Sequence, residues 1–155
     1  MKRMLPYLLV IPVLLFASCK KGVWVPDRSF GVTDVTGNWY IAEAAQNSGS
    51  GWSYINTGLE RGTFSFYGNG AARYEDNYNV MTGNWDIMTL SDGYYDRYGD
   101  YHQDVHQAFR VRVYDSYTNN SVDLYFDNIV STGNSLVATS YNGRTITRYI
   151  FDRDY

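Results

Sequence analysis

From about residue 35 onward, apolar and polar residues alternate with period two, and Gly, Asn, Asp and Ser break the pattern at short intervals. That is the signature of short strands joined by turns. Phe109, Val111 and Val113 alternate with Arg110, Arg112 and Tyr114; after a turn at 115–120, Val122, Leu124 and Phe126 alternate with Asp123, Tyr125 and Asp127. Pairing Tyr114 with Ser121 sets Val113 opposite Val122, Val111 opposite Leu124, Phe109 opposite Phe126 and Arg112 opposite Asp123. Apolar meets apolar and cation meets anion, so a slip by one residue loses both.

The remaining elements follow the same logic. A first strand is expected over 36–44, with Trp39, Ile41 and Glu43 on one face and Tyr40, Ala42 and Ala44 on the other. A polar loop at 46–51 leads to the short alternating piece 52–55, a strand or a lid. Residues 63–67 turn through Gly68-Asn69-Gly70 into 71–75, a hairpin signal. A turn at 76–79 precedes a strand over 80–90. Near the end, Ser131–Asn134 turns into 135–141, Asn142-Gly143 carries a type I′ hairpin signal, and 144–151 is the last strand. There, Val137, Ile146 and Ile150 share a side with Arg148, while Leu136, Ala138 and Tyr149 share the other, so the pattern leaves the inner face open.

About eight strands in consecutive order predict an all-β domain, a small up-and-down antiparallel barrel, with a two-sheet sandwich as the alternative. At this size the interior is either filled by side chains or holds one small ligand. The chain's 16 Tyr, 7 Phe and 4 Trp supply ample bulk for a core, and 14 Gly against 3 Pro suit frequent turns.

Two places anchor the pattern. Val35-Thr36-Gly37-Asn38-Trp39-Tyr40-Ile41 is echoed 46 positions later by Met81-Thr82-Gly83-Asn84-Trp85-Asp86-Ile87. In each, Gly-Asn is expected to end a loop and Trp to open a strand, bringing a large apolar body with one N–H to satisfy.

The N-terminus sets an address. Met1-Lys2-Arg3 is a basic start, 5–16 is an apolar run too short to span a bilayer, and Ala17-Ser18 are small residues before Cys19. Residues 1–18 read as a lipoprotein signal peptide, and 19–34 as an acylated Cys19 with its tether. Residues 35–155 then form the folded domain. Leu15-Phe16-Ala17-Ser18-Cys19 resembles a relaxed lipobox of the Bacteroidetes type. Lipid anchoring through Cys19 is firm once two or more acyl chains are attached. Lys20-Lys21 after the cysteine favour the outer membrane, at its periplasmic face.

The Gly-Asn-Trp opening, the Phe64–Gly70 hairpin and the second Gly-Asn-Trp together resemble the lipocalin-like lipoproteins of Bacteroidetes, over residues 35–151. The resemblance implies a β-barrel whose first Trp is packed by a late arginine; Arg148 and Arg153 stand at suitable positions. The C-terminal helix and the mid-chain Thr-Asp-Tyr motif of lipocalins are absent, which argues against a deep pocket.

Charge and chemistry narrow the rest. Losing Lys2 and Arg3 with the leader leaves 11 of 13 cations against 16 acids, a net charge of −5, and no lysine follows Lys21. Such a surface is a poor nucleic-acid binder. No Gly-x-Ser-x-Gly elbow is present and Glu43, Glu60 and Glu75 are the only glutamates, so the chain reads as a non-enzyme. Residues 91–104 read as a loop in which Tyr94, Tyr95, Tyr98 and Tyr101 interleave with Asp92, Asp96, Asp100 and Asp104. The loop lacks the residue order of a calcium loop. His102 and His106 have a zinc-compatible spacing only on a helix and lack a third ligand, so no metal and no cofactor is expected. The candidate ligand-binding residues are Trp39, Trp85, Arg148 and the four loop tyrosines; Arg148 would serve as a carboxylate anchor if it pointed inward.

Two functions follow: a membrane-anchored barrel binding a small apolar or amphipathic ligand, or a non-catalytic envelope protein showing tyrosine-rich loops to a protein or glycan. The first requires an internal apolar cavity of several hundred Å³. The second requires an interior filled by Trp39, Phe66 and Trp85, with tyrosines exposed on a rim.

Overall fold

The computed structural model describes residues 33–155 apart from 96–97, with backbone alone for Tyr94, Tyr95 and His102. The leader, Cys19, the tether up to residue 32 and Asp96 therefore lie outside the described residues. Within them stand ten strands and no helix: β1 (Gly37–Asn47), β2 (Trp52–Tyr54), β3 (Thr63–Phe66), β4 (Ala71–Glu75), β5 (Val80–Tyr95), β6 (Tyr101–Tyr114), β7 (Ser121–Phe126), β8 (Asn128–Ser131), β9 (Ser135–Asn142) and β10 (Thr145–Arg153).

All pairings are antiparallel, in the order β7-β6-β5-β4-β3-β1-β10-β9-β8, with β2 added to β1. First and last strands thus meet in the middle of the path. The two outermost strands, β7 and β8, follow each other in the chain with only Asp127 between them. The sheet is therefore a curled up-and-down ribbon whose ends are joined through the chain and not by a ladder.

The register between β6 and β7 is the one expected, Tyr114 opposite Ser121 through Phe109 opposite Phe126. The ion pair is diagonal, however. Arg110 donates to both oxygens of Asp123 at 3.0 and 2.7 Å, while Arg112 reaches towards Asp86 at 3.9 Å. Strand twist brings diagonal neighbours within reach of a long side chain.

Several elements depart from the sequence pattern. Residues 91–95 and 101–104 are strand and not loop. Their ladder continues to Tyr95 opposite Tyr101, making β5 and β6 a long two-stranded arm. Gly93 gives the Tyr101 ring the space that a Cβ would occupy. β1 carries a bulge between Ile41 and Glu43, which moves Ala44 into the core and leaves Glu43 half-buried. The second Gly-Asn-Trp sits inside β5, three residues after its start, and not at a loop end. β8 is a strand that its four residues, Asn-Ile-Val-Ser, were too short to announce, and the last hairpin pairs Asn142 with Thr145 around Gly143-Arg144. On β9 and β10 the inner face is that of Leu136, Ala138, Tyr149 and Phe151, so Arg148 points outward.

Rings fill the interior. Trp39, Phe64, Phe66, Tyr74, Phe109, Phe126 and Phe151 are fully buried or nearly so. They touch in a continuous set: Phe66 against Phe109 at 5.4 Å, Phe109 against Phe126 at 6.2 Å, Phe126 against Phe151 at 6.1 Å and Phe151 against Phe64 at 6.0 Å. Such pairs add roughly 0.5–1.5 kcal/mol each beyond the area they bury.

Candidate functional site

The strand register defines two rims. The near rim holds the start of β1 and the turns 67–70 and 131–134. The far rim holds the β1–β2 turn and the turns 76–79, 115–120 and 143–144.

At the near rim, Trp39 is spent inside the fold. Its indole N–H donates to the Val35 carbonyl at 2.8 Å, and the Arg153 guanidinium lies over its ring at 4.5 Å. Arg153 also donates to the carbonyls of Thr36 at 2.9 Å and Gly133 at 2.8 Å. Of the two late arginines, Arg153 is the one that packs the first tryptophan. Trp85 is half-buried, donates to the Tyr67 carbonyl at 2.9 Å and closes on Phe66 and Phe109. Both tryptophans therefore build the filled interior. Arg148, outward, stacks over Trp52 at 4.5 Å and pairs with Glu43 at 3.3 Å, so its guanidinium is not an anchor inside the barrel.

On the arm, Tyr98 and Tyr101 are exposed, while Tyr94 and Tyr95 pair by backbone with His102 and Tyr101. On a strand, His102 and His106 are about 13 Å apart along the chain, so the helical zinc spacing is lost. Among the described residues, no group of three or more His, Cys, Asp or Glu is placed to hold a metal.

The far rim supplies aromatic groups that pattern reading passed over. Tyr54, Tyr78 and Tyr117 are 81%, 84% and 98% exposed, and Trp52, which shares β2 with Tyr54, is half-exposed. The turns bearing Tyr78 and Tyr117 are tied by the Asn120 amide donating to Asn79 at 2.9 Å. Asp76 shapes the first turn by accepting the N–H groups of Tyr78 and Asn79, both at 2.7 Å. These bonds, that from Tyr78 first, hold its carboxyl below the usual range. Asp115 does the same for the second turn through Thr118 and Tyr117. The signal available in sequence was a Tyr two residues after an Asp, in both turns. An open cleft of about 630 Å³ lies between residues 55–61 and the Tyr78 turn.

A larger open cleft, about 880 Å³, lies at the seam. β6 pairs with β7 only as far as Phe109 opposite Phe126, and beyond that fork β8 turns away to β9. Asp92, Asp104 and His106 line one side, Asp127, Asn128 and Ile129 the other. Asp92 and Asp104 stand directly opposite each other on the β5–β6 ladder, a like-charge placement that costs stability. The Asp127 carboxylate accepts the Tyr141 N–H at 2.7 Å. His106 Nδ1 is buried and has no hydrogen-bond partner among the described residues, 3.8 Å from an Asp104 oxygen. Neither cleft is an apolar chamber inside the barrel.

No protein-family model matches this chain, and neither does any curated protein or solved structure.

Proposed function

We propose that the chain is a non-catalytic, lipid-anchored protein of the outer membrane, held through Cys19 at the periplasmic face, whose filled barrel displays aromatic side chains to a protein or glycan. One observation carries this reading: the interior is occupied ring against ring from Phe64 to Phe151, where a ligand barrel needs apolar space. The exposed tyrosines supply the complementary half. Tyrosine offers a large contact area and a hydroxyl at low entropy cost, and at the far rim it is carried on turns that aspartates hold rigid. The placement of Arg153 on Trp39 agrees with the barrel resemblance, which supports the architecture without adding a pocket.

The test uses the full chain in intact envelopes. Photo-crosslinking groups introduced at Tyr54, Tyr78 and Tyr117 should label one common partner. A Cys19→Ser variant should leave the membrane fraction. Recovery of an apolar molecule in equal proportion with the purified chain would overturn the display reading in favour of a ligand barrel.

A further inference from the structure

The curled sheet has two outermost strand edges, and they face each other. β6 is paired with β5 along its whole length, but its other edge loses β7 after Phe109; β8 is paired with β9, and its other edge has no ladder among the described residues. The open cleft of about 880 Å³ occupies this wedge, so it is walled by two rows of backbone groups that have no sheet partner among the described residues. Unpaired strand edges are templates for an added strand, and main-chain hydrogen bonds then supply affinity. Neither edge is blunted by proline or lysine: residues 104–107 are Asp-Val-His-Gln and 128–131 are Asn-Ile-Val-Ser.

The lining selects the strand. Asp92, Asp104 and Asp127 face the wedge, and among the described residues no lysine or arginine lines it. Asp92 and Asp104 are kept opposite each other although that placement opposes folding of the arm, and a cation between them would relieve it. The same charges disfavour a second copy of this acidic chain, whose own edge is equally negative. We propose that the seam takes an extended, cationic segment of a partner protein as a strand added to the open edge of β6 at residues 104–107, beside β8. The wedge is matched by a strand of a few residues with Lys or Arg on one face, at roughly 3.3 Å per residue. Its partner thus belongs to the protein class, and this rests on the display reading. The two ideas fail separately, because a molecule found inside the barrel would sink that reading and leave the seam as it is.

The probe is an acetylated peptide alternating Arg and Val over roughly eight residues, titrated into the ¹⁵N-labelled full chain in detergent. Amide shifts should concentrate at 104–107 and 128–131. The Asp92→Asn/Asp104→Asn variant should bind about tenfold more weakly, and an Asp-Val peptide more weakly still. Both carboxylates are exposed, so this variant keeps its fold; its unchanged or higher Tm is the control. N-methylation of alternate peptide amides separates strand pairing from mere charge attraction, and should abolish the shifts. Equal binding of the methylated peptide, shifts scattered over the acidic surface, or binding that appears only after residues 20–32 are deleted would each overturn the proposal. The last result would give the seam to this chain's own segment.

Discussion

The two Gly-Asn-Trp copies look alike in sequence and do different jobs in the fold. In the first, Gly37 opens β1 with φ near +119°, and the Arg153 guanidinium occupies the space its side chain would fill. Trp39 then vanishes completely into the core beneath that arginine. In the second, Gly83 lies within β5 at an ordinary strand φ, and it is bare because the β6 backbone at Arg112 passes where a Cβ would stand. Trp85 stays half-exposed, leaning on Phe66 and Phe109. The same three letters serve once to start a strand under a clamp and once to let two strands approach. Local identity does not imply local equivalence.

The comparison can be broken most directly at the tryptophans. Trp39→Ala should cost about 3–5 kcal/mol in urea unfolding, whereas Trp85→Ala should cost only about 2 kcal/mol. Equal losses would mean that the two sites share one role. At the glycines the order reverses. Gly83→Ala should destabilise by about 3 kcal/mol, because a backbone carbonyl cannot step aside. Gly37→Ala should cost about 1–2 kcal/mol, since a guanidinium can move but the positive φ remains strained. A milder effect at Gly83 than at Gly37 would contradict the close strand approach. Arg153→Met should lose about 1–2 kcal/mol through its two carbonyl partners and the Trp39 face. Arg153→Lys should recover less than half, because an ammonium cannot stack and reach both carbonyls; full recovery would reduce the clamp to simple charge.

Acid is the smallest lever. Asp34 precedes the first copy and accepts the hydroxyl and N–H of Thr36, in that order of influence, which holds its carboxyl below the ordinary value of 3.8. Asp76 precedes the second copy and is lowered likewise by the Tyr78 N–H first. A depressed carboxyl stabilises fully above its unfolded pKa, and the contribution is lost as pH falls through the lower folded value. Both sites are solvent-screened, so Asp34→Asn and Asp76→Asn should each flatten the stability profile below pH 4 by only a few tenths of a kcal/mol. A steep loss confined to one of them would show that the copies also differ in how they are approached.

What was readable in the chain was whatever period-two alternation and pairing could fix locally. The β6–β7 register was legible because an apolar row and an ionic row must agree at once, although the twist that gave Asp123 to Arg110 was not. The arm at 91–104 was hidden because Gly93, Gly99 and four aspartates carry the composition of a loop. Only its ladder, closed by the Tyr101 ring over Gly93, makes it a strand pair. The inner face of β10 could not be decided from a row holding both Ile and Arg. It was settled by β2, a short strand on β1 whose Trp52 gives Arg148 a surface to lie on outside. The seam needed the whole topology, since no single segment reveals where β6 loses β7 and β8 joins β9.

The β1–β10 ladder sets Trp39 opposite Arg153 and Asn47 opposite Ile146. Everything between β1 and β10 must be synthesised before the opening strand acquires its closing neighbour. The hairpins from β3 to β7 and from β8 to β10 can zip from near neighbours, but the two halves wait for one another. Until β10 is made, the stretch around Trp39 keeps its greasy side uncovered, a surface open to mispairing.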